Sequence, residues 1–393
     1  MKAYKTEIYL TQSQIELIHK TFGCTRYIYN QYVYENLENL ASGRDFISAF
    51  SYSKKMNNDP NTPSWLKEVP SKAVKQALIY AERAFRDYLS RRRGKPKFKK
   101  KGANDSFYLI GTLKVERHRI FVPVLKWVRL KEFGYIPKKI SSVTISMKNG
   151  RYYISCLCKE GKDERIALSN ESMGIYFGLK DQFVTEDRKI PSINHSLCIK
   201  KLEQRLRREQ RCLSRKVEAN MIKKSYYQKG AKKGQLHSFQ WAKPLSECRN
   251  IQKQKRKVSQ IYERLARIRT DYNRKALLSL VLERKPSSIT IENLSVRNLM
   301  KNRHLSAAIM KAQWYQSRLY LENLCNRLGI ELRVVDRFYP SSKLCSTCGF
   351  KYKDLKLKEQ FWTCSNCDSK HDRDRNAAIN LAQCETYTVL TSV

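Results

Sequence analysis

Gly174-Ile175-Tyr176-Phe177-Gly178-Leu179-Lys180-Asp181 is the stretch whose reading decides the fold of this 393-residue chain. It reads as a short strand, and because side chains alternate across a strand, Tyr176 shares its face with Gly174 and Gly178. Asp181 lies five positions on, an odd offset that turns it to the opposite face if the strand continues, and Glu186 and Asp187 fall beyond the expected turn. Downstream, Ser288-Ile289-Thr290-Ile291-Glu292-Asn293-Leu294 is a second strand with an acidic residue at its end. A helix is expected over 304–328, and Glu331-Leu332-Arg333-Val334-Val335 is a third strand. Between the first and second strands, residues 197–284 read as two long basic helices flanking a flexible joint around 229–234.

Upstream, Tyr4-Lys5-Thr6-Glu7-Ile8-Tyr9-Leu10 alternates like a strand, and Thr11 caps a helix in which Ile15, Ile18, Phe22, Ile28, Tyr32 and Val33 recur at helical spacing. A second helix covers about 71–90 and ends in Arg91-Arg92-Arg93-Gly94-Lys95-Pro96-Lys97-Phe98-Lys99-Lys100-Lys101-Gly102. Gly and Pro break the helix there, and the charge suits a phosphate backbone. From 105 to 168 short β segments follow, with Asn149-Gly150 as a hairpin turn, and they form a small barrel or sheet.

Seventy-eight Lys and Arg against 36 Asp and Glu leave a formal charge of +42, and 23 Tyr and 14 Phe are interleaved with them. That combination suits a polyanion that also offers bases to stack on, which is nucleic acid. No apolar run approaches the roughly 20 residues of a spanning helix, and the first residues do not form a signal peptide, so no membrane partner and a cytoplasmic, nucleoid-associated location are expected. Length alone allows several compact units.

Cys345-x2-Cys348 and Cys364-x2-Cys367, 15 residues apart, have the spacing of two knuckles that each present two thiolates to one tetrahedral Zn2+. Iron can share such a ligand set. Four thiolates leave no open position for water, so the expected role is structural. The other eight cysteines follow no disulfide framework and read as reduced thiols.

Val69-Pro70-Ser71-Lys72-Ala73-Val74-Lys75-Gln76-Ala77, Asp336-Arg337-Phe338-Tyr339-Pro340-Ser341-Ser342-Lys343 and His371-Asp372-Arg373-Asp374-Arg375-Asn376-Ala377-Ala378-Ile379-Asn380-Leu381 resemble TnpB, the RNA-guided nuclease family of insertion sequences. The resemblance spans nearly the whole chain and is weakest at about 217–250. It implies an α+β multi-domain fold. A wedge β-barrel domain (1–10 and 104–168) would be interrupted by a helical recognition domain (11–103). An RNase H-like RuvC α/β domain (169–339 and 371–393, including the basic helices of 197–284) would carry an inserted zinc ribbon (340–370). It also implies guide RNA and double-stranded target DNA with an adjacent motif as partners.

Active members of the family hold two Mg2+ with three carboxylates, and the matching positions here are Tyr176, Glu292 and Asp374. A phenol with a pKa near about 10 stays neutral at pH 7 and cannot bridge two hard cations, so Mg2+ binding is expected to be weak or absent. The expectation is a nuclease-dead chain similar to the TnpB-like repressors called TldR, with the Tyr176 hydroxyl bonded to the orphaned carboxylates. Such a chain would silence genes by occupying guide-matched DNA. The alternatives are an RNA-guided endonuclease or nickase with a remodelled metal site, and a zinc-bearing DNA-binding protein without a guide. The resemblance points to Lys72 and Gln76, one helical turn apart, as readers of the adjacent motif. Arg91, Arg92, Arg93, Lys97, Lys99 and Lys100, with Arg205, Arg207, Arg208 and Arg211, are expected to bind nucleic-acid backbone. His371 is expected to pack or hydrogen-bond beside the knuckles rather than act as a further ligand.

Overall fold

The computed structural model describes residues 1–159, 165–231, 233–356 and 359–390, and the chain forms two units, 1–161 and 162–393. In the first, Lys2–Tyr9 (β1) leads into Gln12–Ala41 (α1) through Thr11. The Thr11 hydroxyl accepts from the Gln14 N–H and the Gln14 side chain accepts from the Thr11 N–H, a reciprocal cap that fixes the start of the helix. Ala49–Asn58 (α2) and Ser71–Leu89 (α3) pack on α1 around Ile28, Tyr32, Val33, Tyr52, Val74 and Leu78.

Six more strands complete this unit: Ser106–Leu109 (β2), Lys114–Val115 (β3), Arg119–Val122 (β4), Lys126–Leu130 (β5), Ile140–Lys148 (β6) and Arg151–Cys158 (β7). With β1 they form one antiparallel sheet in the order β2-β6-β7-β1-β5-β4-β3. Asn149 and Gly150, with φ of 54° and 76°, turn β6 into β7, the left-handed pair that a two-residue hairpin requires. Among the described residues β2 and β3 are the free edges, so hydrogen bonding gives an open sheet where a barrel was one expectation. Burial pushes the Cys156 thiol in this core up to about 12, which leaves it protonated and inert.

The second unit is built on Ser172–Ile175 (β8). Asp181–Val184 (β9) and Lys189–Pro191 (β10) pair as a hairpin, after which Leu197–Glu218 (α4), Met221–Tyr226 (β11), Leu236–Trp241 (β12) and Arg249–Arg284 (α5) follow. Between the helices, Met221–Tyr226 and Leu236–Trp241 pair as a β-hairpin on either side of the stretch expected as a joint, 229–234, of which Lys232 lies outside the described residues. Next come Ser288–Ile291 (β13), Val296–Leu299 (α6), Ser306–Ala312 (α7), Trp314–Leu328 (α8) and Glu331–Val335 (β14). The single helix expected over 304–328 is split because Gln313 adopts φ 56°. Its side chain is tied to α5 through the Thr270 hydroxyl and the Ala266 carbonyl. Phe361–Thr363 (β15), Lys370–Asp372 (β16), Arg373–Ala382 (α9) and Tyr387–Val389 (β17) complete the order.

β13 lies between β8 and β14, parallel to both, and β17 adds an antiparallel edge to β14. Tyr176, one residue beyond β8, exchanges backbone hydrogen bonds of 2.9 and 3.0 Å with Val184 of β9. The combined order β10-β9-β8-β13-β14 is an antiparallel hairpin feeding a parallel set. Its buried face packs Met173, Ile175, Ile289, Ile291, Leu332 and Val334 against Leu277, Leu280 and Val281 of α5 and Leu321, Leu324 and Leu328 of α8.

On the other side α9 lies directly on β8. A Cβ on Gly174 would sit 1.9 Å from the Ala378 carbonyl oxygen and 2.8 Å from the Ala382 nitrogen, so only glycine permits this approach. Gly174→Ala should push α9 off the sheet and cost stability in the upper part of the roughly 1–3 kcal/mol range for overpacking. Urea unfolding would measure it, and an unchanged midpoint would contradict this packing.

Candidate functional site

The parallel strands bring Tyr176 and Glu292 together, each one residue past the paired Ile175 and Ile291. Asp374 enters from the first turn of α9 and is 5% exposed. A Glu292 oxygen accepts a hydrogen bond from the Ser341 hydroxyl at 2.5 Å. Burial pushes the Glu292 carboxyl above the usual carboxylate range, the Ser341 bond opposes that rise and the Asp374 charge adds to it. Asp374 Oδ1 accepts from the Arg373 guanidinium at 3.1 Å (Nε) and 3.0 Å (Nη2). The Tyr176 phenol is raised by burial first and then by Glu292 and Asp374, so it is neutral at pH 7.

The expected bond from Tyr176 to the carboxylates is not formed. Its ring instead packs against the cluster of Val335, Leu381 and Cys384, while Ser341 and Arg373 supply the donors. Neither was singled out from the sequence, although both lie inside the quoted motifs. No third acid joins the pair: among the described residues the only convergence of three or more His, Cys, Asp or Glu ligand atoms is the cysteine cluster. Asp187 is occupied by the Thr185 hydroxyl and Arg284. Two carboxylates do not suit a pair of bridged ions, but they do suit one Mg2+, which commonly takes one or two carboxylates and completes its shell with water and phosphate.

Cys345, Cys348, Cys364 and Cys367 place their sulfurs within 4.8 Å of one another. The Cys345–Cys367 and Cys348–Cys364 separations are 3.6 and 3.7 Å. A tetrahedron with metal–sulfur bonds of about 2.3 Å has edges of about 3.8 Å, so the four thiolates fit a zinc ion. His371 Nε2 lies 3.0 Å from the Cys345 sulfur and 2.7 Å from the Ser369 hydroxyl, beside the knuckles as expected. Trp362 packs on the His371 ring and stacks on Tyr352. Asn376 and Asn380, one turn apart on α9, each donate to the Leu344 carbonyl, at 2.6 and 2.7 Å, and Asn380 also reaches Ser341 O at 2.7 Å. Asn376 Oδ1 accepts from the Ser346 N–H. These asparagines fasten the base of the cysteine element to the helix that carries Asp374. Their four-residue spacing in the third motif was the available signal.

Residues 314–381 match the family described as the Cas12f1-like TNB domain, and residues 1–45 match a helix-turn-helix domain, a span that here holds β1 and the single 30-residue α1. A Streptomyces pristinaespiralis protein provisionally named an RNA-guided DNA endonuclease is 30% identical over 97% of this chain and 88% of its own length. The chain belongs to the TnpB/Cas12f-like family. InsQ of Escherichia coli K12, named in the same way, is 26% identical over 97% of this chain and 91% of its own. A cryo-EM structure of a Cas12f1–sgRNA–target DNA complex shares the fold, with a TM-score of 0.56 at 13% identity over 96% of this chain and 84% of that one. Kinship with proteins named as endonucleases overturns the expectation of a chain without enzymatic activity.

The expected nucleic-acid residues are distributed over both units. In the first, Lys72 and Gln76 lie one turn apart on α3, Lys72 exposed and Gln76 half-buried. Arg91, Arg92, Lys97 and Lys100 are exposed; Arg93 lies 3.5 Å from Asp87. Lys99 is committed internally, its ammonium 4.0 Å from the Tyr29 ring centre and its backbone held by Asn30. In the second unit Arg205, Arg207, Arg208 and Arg211 are all exposed on α4, opposite Leu202 and Leu206. No helix among the described residues is long and apolar enough to cross a membrane.

Two outcomes follow from the geometry. Because Glu292 is more basic folded than its ordinary value of 4.5, the folded state binds more protons above that pH, and its carboxylate progressively destabilises the fold as pH rises. Glu292→Gln should therefore raise the melting temperature of the metal-free protein at pH 8, with the gain vanishing towards pH 4. In the cysteine element, Cys364→Ser should abolish stoichiometric zinc in metal analysis of the purified chain. The same variant should open the segment from Ser341 to Asn380 to hydrogen exchange.

Proposed function

We propose that this protein is an RNA-guided DNA endonuclease with a remodelled metal site, in which Glu292 and Asp374 hold a single Mg2+. The observation that carries the reading is that the chain aligns over 97% of its length with a relative named for this activity. It has also kept two acidic residues at the head of an RNase H-like sheet. The exposed arginines of α4 suit guide RNA phosphates, and the α3 face carrying Lys72 and Gln76 suits the duplex motif beside the target. On this reading 1–10 and 104–168 are the wedge domain and 11–103 the recognition domain. Residues 169–339 with 371–393 are the RuvC-like domain, and 340–370 form a zinc ribbon.

A bound Mg2+ would neutralise charge developing on the scissile phosphate. The Ser341 hydroxyl favours the ionised form of Glu292 that a cation needs. Arg373 fixes the orientation of Asp374 and brings a permanent positive charge to the place where phosphate would enter. Tyr176 stays protonated and brings no negative charge, which leaves one ion where the family's carboxylate trio holds two. With a single ion, nicking of one strand is the expected chemistry.

The test offers the protein, purified with its own flanking RNA, labelled guide-matched duplex in Mg2+. The wild type should nick or cut. Glu292→Gln and Asp374→Asn should each lose more than about a hundredfold in rate, and Ser341→Ala, which removes an outer partner, about 10–100-fold. Tyr176→Asp should accelerate cleavage by restoring the third carboxylate. Intact DNA with the natural protein, alongside cleavage by Tyr176→Asp, would overturn the proposal.

A further inference from the structure

The hairpin of β11 and β12 lies in the region least similar to the family and has no part in the site above. Asn220 closes its base: its side chain donates to the Lys243 carbonyl at 2.7 Å and accepts from the Lys243 N–H, while its carbonyl accepts from Ala242. Beyond that clamp both faces are open. Ile222, Lys223, Ser225, Tyr226, Leu236 and Trp241 are exposed. An isolated two-stranded hairpin is marginally stable in water, and exposed rings normally mark a surface awaiting a partner.

Its rings are ordered rather than scattered. Alternation places Phe239 and Trp241 on one face of β12, with Met221 opposite Trp241 in register, while irregular pairing at Ser225 and Tyr226 sets His237 and Ser238 both against the Ser225 hydroxyl. Tyr227 packs edge-on against His237 at 4.6 Å, and Phe239 packs edge-on against Trp241 at 4.6 Å. The result is two ring pairs along the ribbon, Tyr227 with His237 and Phe239 with Trp241. Residues 219–241 also contain five lysines and no Asp or Glu. Aromatic pairs set in a stretch of net positive charge, in which Lys224 pairs with Glu218 at 3.6 Å, complement a chain that is anionic along its backbone and presents flat, unpaired apolar faces, which is single-stranded nucleic acid.

We propose that this hairpin is a stacking platform for unpaired bases of the guide RNA. RNA is favoured over DNA as the occupant by two features. The hairpin continues directly from α4, whose exposed arginines, from Arg205 to Arg215, span about 15 Å of the helix leading to it. The exposed His237 and Trp241, beside the half-buried Tyr227 and Phe239, also need a resident ligand, whereas target DNA is engaged only during a search. The inference rests on RNA binding and is independent of cleavage at Glu292 and Asp374.

Ultraviolet crosslinking of the full-length protein with its copurified RNA, followed by peptide mapping, needs no substitution and tests the contact directly. Adducts should fall on Tyr227, Phe239 or Trp241. In a second arm, RNA-stripped protein is titrated with labelled oligouridine, oligothymidine and duplex DNA. Phe239→Ala/Trp241→Ala should weaken oligouridine binding about fivefold or more, Phe239→Tyr/Trp241→Phe should restore it, and duplex binding should not change. Zinc content equal to wild type certifies the fold of each variant. Crosslinks absent from the hairpin, or appearing there only when DNA is added, would overturn the assignment, as would an equal loss for duplex DNA.

Discussion

The approach of α9 to β8 at Gly174 is the constraint on which the second unit depends. No side chain can stand between the helix and the strand, so the helix axis is set by backbone against backbone. Everything that gathers at the head of the sheet inherits that position. Asp374 is carried on the first turn of this helix, Tyr176 extends the strand it covers, and Asn376 and Asn380 reach from it to the cysteine element. A rigid contact of two atoms' width thus locates groups drawn from four separate stretches of chain.

The carboxylates at this position are held by different means. Glu292 is desolvated and relies on one neutral hydroxyl, which leaves its charge poorly compensated. Asp374 is more fully buried but has a guanidinium against it, a charge-assisted pair that offsets the cost of its desolvation. A cation arriving here would gain more from Glu292, whose negative charge has no permanent partner, than from Asp374. Tyr176 adds bulk and a neutral donor where the family's pattern has charge, so the electrostatic demand for metal is lower than three acids would create.

Much of this was legible beforehand because it is written in local signals. Thr11 before an apolar period announces a helix start, Asn149-Gly150 a hairpin, and the two Cys-x2-Cys pairs a shared ion; each depends on residues close in sequence. The two acids and the tyrosine were placed through motif similarity, and the sheet register does bring Tyr176 beside Glu292. What stayed hidden depends on contacts between distant segments. The break at Gln313 is made by α5, some 45 residues away, and no local breaker residue marks it. The hairpin at 221–241 looked like a joint because its lysines and glycines mask a pairing that only the aligned strands reveal. The inference that a tyrosine removes activity failed for another reason: it weighed one ligand against a chain-long kinship with named endonucleases.

The asparagine fastening has a consequence beyond holding two elements together. Ser341, whose hydroxyl reaches Glu292, is four residues from the ligand Cys345, and the carbonyls at both ends of that short span are gripped by α9. A change in the knuckle cannot be absorbed within so short a tether. On the proposed reading, occupancy of the thiolate site and the alignment of Glu292 would therefore be one linked equilibrium. On that reading, starving the protein of an ion held between the four sulfurs would loosen a carboxylate that this ion never touches, and metal supply would become a throttle on the distant chemistry.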